Sequence, residues 1–300
     1  MSPASGILLV DKPGGITSHD VVARTRRAFG TRKIGHAGTL DPMATGLLVL
    51  GIEGSTRLLT YLVGLDKTYE TTIRLGSATT TDDAEGETVS TAGSDELAVV
   101  TDARIAEGVA RLTGRISQVP STFSAIKVDG KRAYDLARAG QDVELKSREV
   151  TISRFAVGAI RRSGDAIELD ATIDCSSGTY IRALARDLGA DLGVGGHLTM
   201  LRRTRIGPFD LADAHELDSL ADGVPAPLDP AEVAGRVLGR LDVTADEARD
   251  LRHGKKLADQ AARLGGDLAA AIDPDGVLVG IVERRGDALK SAMNMPEAAA

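Results

Sequence analysis

The chain has 300 residues, 42% hydrophobic and 26% charged, with a formal net charge of −7, a globular composition long enough for one large, well-buried domain and a small one. No apolar run approaches the ~20 residues that span a bilayer, so no membrane association is expected. No basic-then-apolar signal opens the chain, and its one cysteine, Cys175, excludes an internal disulfide framework, which points to a cytoplasmic location.

The charge is unevenly spread. Acid gathers between 82 and 107, while base gathers in Arg24, Arg26, Arg27, Arg32 and Lys33, in Lys127, Lys131 and Arg132, and in Arg202, Arg203 and Arg205. Phosphate binding follows local potential, so an acidic chain can carry a basic groove. Each cluster taken alone is also what a solvated helix face looks like. The absence of Trp speaks against a broad base-stacking platform.

In chain order, Ile7–Val10 reads as a buried strand ending in Asp11-Lys12-Pro13-Gly14-Gly15, which lacks the spacing of a phosphate loop. Thr17 or Ser18 caps a helix to about Phe29. The run Gly35-His36-Ala37-Gly38-Thr39-Leu40-Asp41-Pro42 reads as a loop. Its glycines allow close backbone approach, and Pro42 biases Asp41 towards an extended conformation. Asp41 is then either a turn residue or a catalytic carboxylate, and the residues alone leave both open. Gly46–Gly51 is a central apolar strand, and a short helix starts at Ser55. Lys67–Gly76 alternates as a strand, with Tyr69, Thr71, Ile73 and Leu75 on one face. Tyr69 by itself is equally readable as a core aromatic with a bonded hydroxyl. Residues 76–95 read as an irregular connection, and 101–114 as an amphipathic helix.

Residues 117–148 have little apolar area and read as an appendage on the core, with an Asp129-Gly130 turn and a short basic helix from Lys131 to Ala139. Ile167–Asp174 alternates as a strand. Ser176-Ser177-Gly178-Thr179 opens a helix with Ile181, Leu184, Leu188 and Leu192 on its apolar side. Arg182 falls in its first turn, where the helix dipole disfavours a cation, so an anionic partner is expected. Gly193–His197 is a glycine-rich connection, and Leu201–Arg205 leads into another strand. Pro225, Pro227 and Pro230 mark a linker, which sets expected domains of 1–225 and 226–300. The second holds a helix from Thr244, a hairpin at Ala271–Val282 around Pro274-Asp275-Gly276, and a last strand near Lys290–Met295.

The five histidines are scattered, with no i, i+4 pair, and no nucleophile elbow is present. One carboxylate in a glycine-framed loop, an arginine at a helix start, a strand tyrosine and basic clusters suit an enzyme acting on nucleic acid through a single Asp. A non-catalytic RNA-binding module is the competing class.

These motifs also carry a resemblance. Asp11-Lys12-Pro13, the run from Gly35 to Pro42, Lys67-Thr68-Tyr69, Gln118-Val119-Pro120-Ser121 through Lys127, Arg132-Ala133-Tyr134, Ser177-Gly178-Thr179-Tyr180-Ile181-Arg182 and Leu201-Arg202-Arg203 occur in one order. Over nearly its whole length the chain resembles the TruB family of bacterial tRNA pseudouridine-55 synthases. The resemblance implies an α+β pseudouridine synthase fold, with a central mixed, largely antiparallel sheet flanked by helices, a thumb-like insertion at about 117–148 and a small β-rich PUA-like C-terminal domain. It implies isomerisation of uridine-55 in the tRNA T-loop by a flipped-base mechanism, with no metal or cofactor, in a monomer. Asp41 would be the essential carboxylate, paired with Arg182. Tyr69 would pack on the uracil, Tyr180 and Leu201 would complete the pocket, and His36 would hold the disrupted loop. Lys12 and Arg202 would assist substrate binding. Lys127, Lys131 and Arg132 would contact phosphate, and the C-terminal domain would touch the acceptor arm. Thr80 stands where the family commonly has an acid ahead of Asp83, so Asp83 is given no role. Guide-RNA-dependent members of the family carry an extra basic tail that this chain does not resemble.

Overall fold

The computed structural model describes residues 4–121, 127–128, 131–132 and 145–296. By contacts the chain divides into two units, Met1–Val63 with Gly207–Ala300, and Gly64–Ile206.

The first unit begins with β1 (Gly6–Lys12), an apolar run buried on both faces. Thr17 then caps α1 (Ser18–Phe29) in a reciprocal box with Asp20, and Gly30 ends it at φ 64°. Val21, Val22 and Phe29 on one side of α1 pack with Leu8, Val10, Leu48 and Leu50. β2 (Ile34–Ala37) pairs antiparallel with β3 (Thr45–Ile52), which pairs antiparallel with β1. The expected loop at 35–42 is therefore strand in its first half. The reason lies in Gly35, which stands opposite Gly51 where a Cβ on either would come within 3.1 Å of Leu59. Leu59 belongs to α2 (Leu59–Leu62).

The second unit opens with β4 (Lys67–Leu75), followed by a β5 (Ser77–Thr79) and β6 (Thr88–Thr91) hairpin. That hairpin falls where an irregular connection was expected, because β6 is exposed throughout and has no apolar side to alternate. α3 (Ser94–Ala98), α4 (Asp102–Arg111) and β7 (Gly114–Gln118) follow. β8 (Lys127–Val128) and β9 (Lys131–Arg132) pair antiparallel. The helix expected from Lys131 is thus strand at its start, and its remainder lies outside the described residues. β10 (Arg148–Arg162), β11 (Ile167–Cys175), α5 (Ile181–Leu192) and β12 (Gly196–Ile206) complete the unit. Its strands run β12-β4-β11-β10-β7, every neighbour antiparallel. α5 lies close on β12 because Gly189 has no Cβ, which would otherwise sit 2.2 Å from the Gly195 backbone.

The chain then returns to the first unit through β13 (Phe209–Asp210) and β14 (His215–Glu216), the latter parallel to β1. Leu217 and Leu220 close the core under α1. Ile7 and Leu228 exchange backbone hydrogen bonds of 3.0 and 2.7 Å. The last residue of the expected linker begins α6 (Pro230–Leu238), with Asp229 as N-cap and Pro230 in the first turn. β15 (Arg240–Asp242), α7 (Ala245–Arg252), β16 (Leu268–Ile272), β17 (Leu278–Arg285) and β18 (Ala288–Asn294) form a four-stranded module with its own apolar core. The α+β class, the largely antiparallel sheet and the small β-rich C-terminal module are as expected. Among the described residues no helix is long and apolar enough to cross a membrane.

Candidate active site

In the first unit the site is built around the connection from β2 to β3. Gly38 leaves β2 at φ 80°, a conformation that costs a glycine nothing. Asp41 follows, half-buried, and the backbone on both sides of it is held. Ser18, buried in the first turn of α1, donates to the Leu40 carbonyl at 3.1 Å and accepts the Leu40 N–H at 2.9 Å. Gly15 N–H donates to the Pro42 carbonyl at 2.9 Å, and Ala44 N–H to the Asp41 carbonyl at 3.1 Å. The fully buried Lys12 adds a fourth brace. Its ammonium donates to the carbonyls of Pro13 (2.9 Å), Ile16 (2.7 Å) and Pro42 (3.2 Å). Three carbonyl dipoles offset the desolvation of that charge. Lys12, expected to touch substrate, is directed at main chain. His36 stands on β2 with its ring edge-on to His19, centroids 5.5 Å apart.

In the second unit β4 and β12 present a buried face. Tyr69 lies opposite Arg203, and Leu201 opposite Thr71. Tyr69 and Leu201 are both buried, whereas Arg202, on the other side of the strand, is half-exposed. Arg203, grouped in the sequence with surface basics, is almost fully buried. Lys67 on the same face is also buried, and desolvation together with the nearby Arg203 charge lowers its pKa to about 8. Cys175 has a structural environment: burial raises its thiol to about 11.

Tyr180 is the N-cap of α5. The Gln118 side chain grips its backbone twice, accepting from Tyr180 N–H at 2.8 Å and donating to its carbonyl at 3.1 Å. The Arg148 guanidinium sits 5.5 Å from the Tyr180 ring centroid, within cation–π range. Arg182 follows in the first turn, buried, and within this unit it meets Asp83 at 3.2 Å. Arg182 also donates to the Thr81 carbonyl at 2.6 Å. Asp83 is itself buried and accepts from Thr81 Oγ1 and, at 3.1 Å, from Glu85 N–H. Asp83 is thus the residue that sequence reasoning set aside. The signal that could have found it was the unexplained cation at the helix start.

The structure thus gathers Lys12, His36 and Asp41 in the first unit, and Tyr69, Tyr180, Arg182 and Leu201 in the second. The backbones of Lys127, Lys131 and Arg132 form the β8–β9 pair, and their side chains lie outside the described residues.

Solved structures share this architecture. One, an H/ACA ribonucleoprotein bound to a substrate RNA containing 2′-deoxyuridine, aligns at a TM-score of 0.70 with 23% identity, covering 97% of this chain and 85% of the other. A Cbf5–Nop10–Gar1 complex aligns at 0.70 with 24% identity and the same coverage. At that identity the likeness defines the class by fold alone. Sequence narrows it further. Residues 26–181 match the TruB family pseudouridylate synthase N-terminal domain, 182–229 the tRNA pseudouridylate synthase B C-terminal domain, and 238–296 the tRNA pseudouridine synthase II C-terminal domain. The tRNA pseudouridine synthase B of Leifsonia xyli is 59% identical over 97% of each chain, and that of an Arthrobacter species 53% over 96% of each. The chain belongs to the TruB family of pseudouridylate synthases.

Proposed function

We propose that the protein converts uridine-55 of the tRNA T-loop to pseudouridine, with Asp41 as the carboxylate on which turnover depends. Family membership makes it a tRNA pseudouridine synthase, an isomerase. The reaction breaks the bond from uracil N1 to ribose C1′, turns the base and joins C1′ to C5. The C5 hydrogen leaves as a proton and N1 takes one up, so no oxidant or hydrolysing water is consumed.

The observation that carries the reading is the bracing of Asp41. A carboxylate that is already ionised needs placement more than activation, and the backbone at Leu40, Asp41 and Pro42 is pinned from α1, from Gly15, from Ala44 and from buried Lys12. In this reading Lys12 positions the loop and does not touch RNA. Tyr69, Leu201 and Tyr180 receive the flipped uracil, and stacking worth ~1–3 kcal/mol offsets much of the unstacking. Arg182 serves as catalytic support and His36 supports the opened loop. Lys127, Lys131, Arg132 and Arg202 meet phosphates, and the C-terminal module meets the acceptor arm.

Asp41→Asn tests the assignment. The variant is expected to bind unmodified tRNA as the wild type does and to release no tritium from C5-labelled uridine. Turnover by Asp41→Asn would overturn the role of Asp41. Position mapping of the wild-type product tests the substrate, and pseudouridine at sites other than uridine-55 would overturn the T-loop reading. Binding without any product would leave the RNA-binding module.

A further inference from the structure

α5 carries a second arginine one turn beyond Arg182, and the structure gives it a partner of its own. Two consecutive acids on the turn at 79–83 meet the two guanidiniums: Asp83 takes Arg182, and Asp82 meets Arg186 at 3.3 Å, while Asp187 on the same helix holds Arg186 from its other side at 2.8 and 2.9 Å. Asp82 reaches that place through a left-handed backbone, φ 60°, a conformation in which Asp and Asn are enriched. Its N–H donates to the Thr79 carbonyl at 3.3 Å, and its carbonyl accepts from Leu198 N–H at 3.0 Å. The same carboxylate oxygen that faces Arg186 accepts from Ser121 Oγ at 2.6 Å, and Ser121 is fully buried. The other arm of Arg186 donates to the Val119 carbonyl at 2.7 Å.

Residues 119–121 are where the chain leaves β7 for the inserted segment. The returning strand β10 is registered beside them, Arg148 opposite Gln118, and Gln118 is the residue that grips Tyr180. Asp82 therefore joins three things at one carboxylate: the turn that holds Arg182, the helix α5, and the outgoing end of the insertion. Its side chain is 13% exposed, and burial raises its pKa against the pull of Ser121 and Arg186. A hydrogen bond to a charged group in such a setting is roughly twice as strong as a neutral one.

We propose that Asp82 is a positioning residue: through Ser121 and Arg186 it pins the root of the RNA-gripping insertion to the turn that holds Arg182, so that bound tRNA is presented in fixed register with Arg182. This rests on the tRNA reading above. Removing the link leaves the Asp83–Arg182 pair in place, so the loss falls on tRNA binding more than on the chemical step.

The test compares Asp82→Gly, which tolerates the left-handed backbone, with Asp82→Asn, which keeps both that backbone and an acceptor for Ser121, and with Ser121→Ala. Kd for unmodified tRNA, KM and kcat are measured for each, with thermal melting alongside. Asp82→Gly and Ser121→Ala are each expected to raise Kd and KM about tenfold, the loss of roughly one charge-assisted hydrogen bond. The double variant is expected to be no worse than Asp82→Gly, because that change already removes the bond to Ser121. Asp82→Asn is expected to recover most of the affinity. An unchanged Kd with lowered melting would make the contact merely structural and overturn the proposal. A loss confined to kcat, or full additivity of the two single variants, would overturn it as well. Wild-type protein that binds tRNA but makes no pseudouridine would defeat the reaction assignment instead, while the Kd series would still judge Asp82.

Discussion

At the residue scale, the second unit buries a series of cations: Lys67, Arg182 and Arg203. The motif residues were legible as motifs, but their exposure was not. Arg202 and Arg203 are adjacent in sequence, and strand alternation sends one outward and the other inward. The contact of Arg182 with Asp83 was illegible for a different reason. It depends on the turn at 79–83, whose left-handed Asp82 has no periodic signature. Lys67 yields a prediction about pH. Its pKa falls from the usual 10.5 to about 8 in the folded chain. Between those values the unfolded chain holds a proton that the folded chain does not, so stability rises with pH across the window. Cys175 works the other way, because its thiol moves from 9 up to about 11, so the folded chain holds the proton above pH 9. From pH 8 to 9 the Lys67 effect outweighs the opposing one of Cys175, whose thiol is half-ionised in the unfolded chain by pH 9. Urea unfolding of the wild type is expected to show a rise there of up to about 1 kcal/mol, the linkage value of one pH unit. Lys67→Met should flatten it, and an equal rise in both proteins would refute the account.

At the element scale, α1, β3, β4, β11 and α5 follow directly from apolar spacing and caps. β10 did not announce itself. Its register shifts twice against β11, between Ile152 and Arg154 and between Val157 and Ile160, and each bulge breaks the alternation by which a strand is recognised. α6 was hidden because Asp229 and Pro230 read as linker residues, although the pair is also a helix start. The connection from β2 to β3 shows how one element fixes another. Ser18 belongs to α1, yet it closes both backbone groups of Leu40, one residue before Asp41. Ser18→Ala leaves a buried N–H and C=O unpaired, and a loss of about 1–3 kcal/mol is expected in urea unfolding. Single-turnover rates at saturating tRNA should fall with it, because the loop carrying Asp41 loses its tether to α1. A stable variant with an unchanged rate would show that Ser18 is not what holds the loop.

At the scale of the whole molecule, the α+β class and the β-rich C-terminal module were readable from the pattern of strands. The division of the chain into a continuous unit and a split one was not, since it depends on pairings between residues roughly two hundred positions apart. Leu217 and Leu220 belong to the same core as Val21 and Phe29. That feature has a consequence for how the protein is made. As the chain leaves the ribosome, residues 64–206 can pair β12, β4, β11, β10 and β7 with one another, while α1 and the strands around Asp41 wait for the final third of the chain before their core can close. Contacts of such long range form late. In refolding followed by pulsed hydrogen exchange, amides of β4 and β11 are expected to gain protection before those of α1. The reverse order would show that α1 closes its core without Leu217 and Leu220. In the expected order, the loop that carries Asp41 is among the last parts of a newborn chain to take shape.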